Sequence, residues 1–229
     1  MNRFLAFLLV FFTVTGALPA SGAEEAQVLQ APPSAIADIF DDKALIAGYA
    51  AKLVNASKDL LLAMINDEAL SAYKKAAAVR VFRDKFALQI VSHERIIVER
   101  VLLRQMQRLN SIYQQIEIMH TLVMMDRSRY FDSMAPLLLQ KMDHYDVFVN
   151  ELAFAALEDI NAAVAPRTRE ARIELNTLRK VFFLSRKKLQ NADPLEPKLR
   201  NKLQVLRWAI KVLGTEELKT LPSEVIALM

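Results

Sequence analysis

The side chains best suited to chemistry in this chain are thioethers and imidazoles: Met119-His120, Met124-Met125, Met134, Met142 and His144 fall in one stretch. None of the 229 residues is cysteine, which excludes a thiol nucleophile, thiolate metal sites and dithiol redox chemistry. In an exported chain, thioether and imidazole ligands without thiolate would suit copper, and His120 and Met124, four residues apart, share a helix face. The set lacks the compact Met-x-x-Met or His-x-x-x-His spacing of a ligand cluster. Methionines at helical intervals more often fill cores, so no metal and no cofactor is assigned. General acid–base chemistry needs two titratable groups in environments that separate their pKa values. There are 26 Asp plus Glu, yet no spacing singles out a pair. No serine stands in a Gly-flanked elbow. Of four glycines, Gly16 and Gly22 lie in the N-terminal apolar segment, leaving Gly48 and Gly214 for the rest of the chain. Phosphate-cradling loops, nucleotide-binding turns and two-residue hairpins depend on glycine, so nucleotide-binding α/β and all-β folds are improbable. No catalytic residue is assigned; the chain reads as a binder rather than an enzyme.

Charge supplies the candidate contact residues. Residues 130–160 carry six acids (Asp132, Asp143, Asp146, Glu151, Glu158, Asp159) against Lys141, whereas 161–211 carry thirteen bases against four acids (Glu170, Glu174, Asp193, Glu196). The basic half is read as a protein-binding surface through Arg179, Arg186, Lys187, Lys188, Lys198 and Arg200. Such a surface attracts acidic proteins or anionic lipid headgroups; its bland counterpart is a solvated face paired with the acidic helix before it. Arg100, Arg104 and Arg108 form a second stripe at four-residue spacing, with Glu117 the expected compensating charge. Trp208 and the Phe182-Phe183 pair read as core.

The elements that must position these residues are helices. Met1 to Ala23 carries Arg3, an apolar run from Phe4 to Val14, then Gly16, Pro19 and Ser21-Gly22-Ala23. That is the pattern of a secretory signal peptide cleaved after Ala23, its apolar run too short to span a bilayer. Residues 24–35, with Pro32-Pro33, read as an extended leader, and 36–229 as one all-helical domain. From Ile36 apolar residues recur at three- and four-residue spacing. The spacing predicts helices over 42–65, 68–91, 94–109, 111–125, 131–142, 147–164, 167–190 and 198–213, then a short pair, 216–221 and 223–228. Pro166 and Pro197 suit first helical positions, Ser92, Thr215 and Ser223 suit caps, and Gly214 suits a helix end.

A 51-residue offset aligns Phe86 to His93 with Leu137 to His144, matching Gln89 to Gln140 and His93 to His144. Six apolar positions from Val98 to Leu109 then meet six from Val149 to Ile160. A histidine repeated at a joint favours a capping or hydrogen-bonding role. Pro136, Asp143, Val149, Ala153 and Leu157 resemble the HEAT-repeat pattern, and 193–203 resembles a further copy, the likeness covering roughly 79–213. Asn150 and Glu99 stand where the family has arginine, Ser92 where it has aspartate, and Arg207 where it has leucine. The resemblance implies an armadillo-type, short right-handed α-solenoid of stacked helical hairpins. Independently of the name, hairpins apolar on more than one flank must stack on neighbours. A compact helical bundle is the alternative. The expected function is an exported, non-catalytic helical-repeat scaffold binding a protein partner in the cell envelope, periplasmic or secreted, with possible peripheral contact to a membrane surface and no nucleic acid. The alternative is a periplasmic helical carrier of a lipid or metal.

Overall fold

A computed structural model describes residues 42–108, 111–165, 167–189 and 196–229; the signal-peptide and leader expectations, and Pro166, lie outside them. The described residues all belong to one compact unit, Phe40–Met229. They form α1 (Asp42–Leu53), α2 (Lys58–Asn66), α3 (Ala72–Phe86), α4 (Ser92–Gln107), α5 (Ile112–Met125), α6 (Arg127–Lys141), α7 (Val147–Ala162), α8 (Thr168–Leu189), α9 (Pro197–Leu213), a 3₁₀ turn (Thr215–Thr220) and α10 (Ser223–Ile226). No strand occurs among the described residues. The fold is all-α.

Local chemistry sets most of the boundaries. Ser57, Ser71, Ser111, Asp126 and Asp146 each accept a backbone N–H from the first turn of the following helix, the usual work of a helix N-cap. The predicted helix 42–65 is two helices. Ser57 captures the Leu60 N–H at 3.2 Å, while Lys85 donates to the Val54 and Ala56 carbonyls, so the break leaves its polar groups partnered. Helix α6 begins earlier than its apolar pattern, because Asp126 caps it through the Arg129 N–H. The expected caps Ser92, Thr215 and Ser223 are instead the first residues of their elements, which follow Val91, Gly214 and Pro222 without a side-chain cap. Pro197 opens α9, and Gly214 ends it at φ 107° with its N–H on the Ile210 carbonyl.

Packing is sequential. The odd-numbered helices touch in series, α1–α3–α5–α7–α9; among the even-numbered ones α2 touches α4, and α6 touches α8, which also packs against α10. Neighbours in the chain, such as α2–α3, α4–α5, α5–α6, α6–α7 and α8–α9, pack across the two rows. Apolar side chains line the contact: Leu61, Phe82, Leu102, Ile116, Leu122, Phe131, Leu138, Leu157, Leu175, Phe182 and Leu206 are all essentially inaccessible. The 51-residue offset relates α3–α4 to α6–α7, and so exchanges the rows. It superposes apolar stripes rather than equivalent places in the packing. The two matched histidines accordingly differ: His144 Nδ1 accepts the Asp146 N–H at 3.2 Å, whereas His93 is exposed.

Candidate binding groove

Helix α8 turns one stripe inward and leaves the other bare. Ala171, Leu175, Leu178, Phe182 and Leu189 are buried, at the three- and four-residue steps of one helix face. Phe183, read from sequence as core, is 55% exposed, and Leu184 beside it is 84% exposed. Rotation by about 100° per residue carries them off the buried stripe. Opposite this bare face runs the C-terminal segment, held by buried Leu221 and Val225, with α10 packed against α8. Between them lies an open groove of about 1020 Å³. Arg179, Lys180, Phe183, Leu184, Arg186 and Lys187 form one wall, and Lys219 to Glu224 the other. The Arg186 guanidinium lies 4.8 Å from the Phe183 ring centroid, within cation–π range.

Ion pairing explains which charges remain available. Toward the start of α8, Arg169 pairs with Asp132 of α6 and Arg172 with Glu217 at 2.5 Å. Arg167 lies 3.7 Å from Glu170, and Lys202 of α9 pairs with Asp143. Two of the six acids of 130–160, Asp132 and Asp143, are thus paired with bases of the segment that follows. Arg179, Lys180, Arg186 and Lys187 have no ion pair with any described residue. Of the six candidate contact residues, Arg179, Arg186 and Lys187 line the groove together. The Lys188 side chain lies outside the described residues. Lys198 is a strut, its ammonium donating to the His144 carbonyl at 2.5 Å, and Arg200 is exposed on α9 away from the groove. Phe183, Leu184 and Lys219, outside that set, also line the groove; in the sequence the apolar pair is marked by its place one and two residues beyond the buried Phe182.

A second polar cluster lies where α3, α5 and α7 meet, in a cleft of about 420 Å³. Glu117, expected to offset the Arg100 stripe, instead takes Arg80 at 2.6 Å and Arg83 on its two oxygens. Arg108 pairs with Glu68. His120 Nε2 lies 2.8 Å from the Asp159 carboxylate. Burial pushes the imidazole below its ordinary pKa against the pull of that carboxylate, and the imidazole contact holds Asp159 below the usual carboxylate range. Burial opposes the charge on Arg83, but Glu117 and Asp84 outweigh it and raise its pKa. With Lys43 of α1 on Glu151 at 3.2 Å, each charged side chain facing this cleft has a polar partner within it, so the cluster ties α1, α3, α5 and α7 together. The Met and His residues do not converge: Met119, Met125, Met134 and Met142 are buried in the apolar core. No group of three His, Cys, Asp or Glu suited to a metal occurs among the described residues. No helix among them is long and apolar enough to cross a membrane.

Comparison with family models, curated proteins and solved structures gives no match.

Proposed function

We propose that the protein is an exported helical-repeat scaffold whose α8 groove binds an acidic, amphipathic segment of a partner protein in the cell envelope. The observation that carries the reading is the groove itself, where bare Phe183 and Leu184 stand among four cations that have no ion pair with a described residue. Apolar anchors give such a site affinity, and its cations select an acidic partner and speed encounter. Export rests on the Met1 to Ala23 pattern. The stacked, HEAT-like arrangement is supported by the two rows of contacts and by ties between successive pairs. Asp143, in the joint between α6 and α7, pairs with Lys202 of α9, and Asn150 of α7, standing where the repeat pattern has arginine, accepts from Asn201 of α9 at 3.1 Å.

The test is capture of envelope proteins on the immobilised chain at low and moderate salt, comparing the parent with Arg186→Glu/Lys187→Glu and with Arg100→Glu/Arg104→Glu. The expected result is a salt-sensitive partner retained by the second variant and lost, by at least about tenfold, from the first. Equal retention by both variants would discard the groove. The alternative, a lipid carrier, draws on the same exposed apolar pair, and native mass spectrometry of the isolated chain distinguishes it by a co-purifying lipid mass.

A further inference from the structure

The gap between α7 and α9 has a chemistry unlike the rest of this basic protein. It is a pocket of about 290 Å³ lined by Phe154, Glu158 and Asn161 on α7 and by Gln204, Val205 and Trp208 on α9. The spacings explain the convergence: 154, 158 and 161 share one face of α7, and 204 and 208 share one face of α9. Trp208, read from sequence as core, is half-buried here and forms a wall.

Three observations give the pocket a sign. No lysine or arginine lines it, whereas the α8 groove, the α3–α5–α7 cleft and a hollow beside Arg100 and Arg104 all have basic linings. Glu158 has no ion pair with any described residue. Its five acidic companions in 130–160 are all engaged: Asp132 with Arg169, Asp143 with Lys202, Asp146 with the Tyr113 hydroxyl at 2.6 Å, Glu151 with Lys43 and Asp159 with His120. Asn161 is 8% exposed, and its Oδ1 has no hydrogen-bond partner among the described residues. A buried acceptor left without a donor costs free energy, so an N–H donor reaching Asn161 Oδ1 would be stabilising.

We propose that this pocket binds a primary alkylammonium group, either a free small amine or the end of a lysine side chain. Trp208 and Phe154 offer π faces to the cation and to its methylenes, Glu158 supplies the counter-charge, and the Asn161 carbonyl and Gln204 accept its N–H groups. Its volume stands at the small end of ligand pockets, roughly 300 Å³ upward, which suits a headgroup with a short chain and excludes a bulky ligand.

Trp208 is the one tryptophan of the chain, so its emission reports on the site directly. The purified full chain is titrated with n-butylammonium, with Nα-acetyl-lysine-methylamide and with n-butanol as the uncharged control. A Glu158→Gln variant is run in parallel, its fold checked by far-ultraviolet circular dichroism. The expected result is a saturable change in Trp208 emission with one or both amines, absent with butanol and weakened about tenfold or more by Glu158→Gln. Response to the lysine derivative assigns the site to a protein side chain; response to butylammonium alone assigns it to a free amine. No saturable response to either amine, an equal response to butanol, or an affinity unchanged in Glu158→Gln would each overturn the proposal. None of these outcomes depends on the α8 groove, whose charge-reversal variant leaves this pocket intact.

Discussion

Glu174 is fully buried on α8, with the Asn161 amide on one oxygen at 3.2 Å. Burial raises its pKa from 4.5 to about 8; the amide and the Arg127 charge from α6 pull the other way, and Glu170, one turn before it, adds to the rise. The sign for stability follows from linkage. Below about pH 4.5 both folded and unfolded chains hold the proton; between 4.5 and 8 only the folded chain does. The stability that Glu174 contributes is therefore fully present at low pH, falls as pH rises through that window, and levels off above it. The whole change amounts to at most about 5 kcal/mol. Urea unfolding of Glu174→Gln should show most of that slope removed and a gain over the parent at pH 8.5; parallel curves would contradict the assignment. Residue roles of this kind were only partly legible. Arg186 and Lys187 could be named from charge density, but Glu117 was paired with the wrong arginines, because its true partners lie on α3, two helices away and on no shared sequence pattern.

At the scale of elements, the two glycines outside the N-terminal segment make opposite predictions. Gly214 closes α9 at φ 107° and ψ 155°, a region open essentially to glycine alone. Space is no obstacle, since an added Cβ would meet nothing within 4 Å. Gly214→Ala should thus cost about 1–3 kcal/mol from backbone strain alone. Gly48 lies inside α1 with equal room, so Gly48→Ala should stabilise by up to about 1 kcal/mol through helix propensity. Chemical denaturation of the two variants checks both, and a shared sign would refute the contrast. Helix existence was readable from apolar period, and both ends of α9 from Pro197 and Gly214. The split of 42–65 was not, because apolar spacing runs through it. What interrupts the run is Ser57, which caps the start of α2 through the Leu60 N–H, while Lys85, 31 residues from Val54, satisfies freed carbonyls before it.

For the whole molecule, the distribution of ion pairs separates charges that hold the fold from charges left for contact. Arg186→Glu/Lys187→Glu should alter stability by less than about 1 kcal/mol, as exposed substitutions do. Lys202→Glu would set a carboxylate against Asp143 and should cost at least about 2 kcal/mol. Thermal unfolding of the two distinguishes them, and comparable losses would mean the groove cations are structural. The amino-acid sequence alone determined the all-helical class, most of the helix spans and the excess of bases after residue 160, since backbone periodicity, caps and composition are local properties. It did not determine which acid meets which base, that Phe183 and Leu184 stay bare, or that Trp208 walls a pocket. Those depend on the rotation at which each helix settles against neighbours brought close through space, and a shift of one residue, about 100° around the axis, exchanges a buried side chain for one facing solvent.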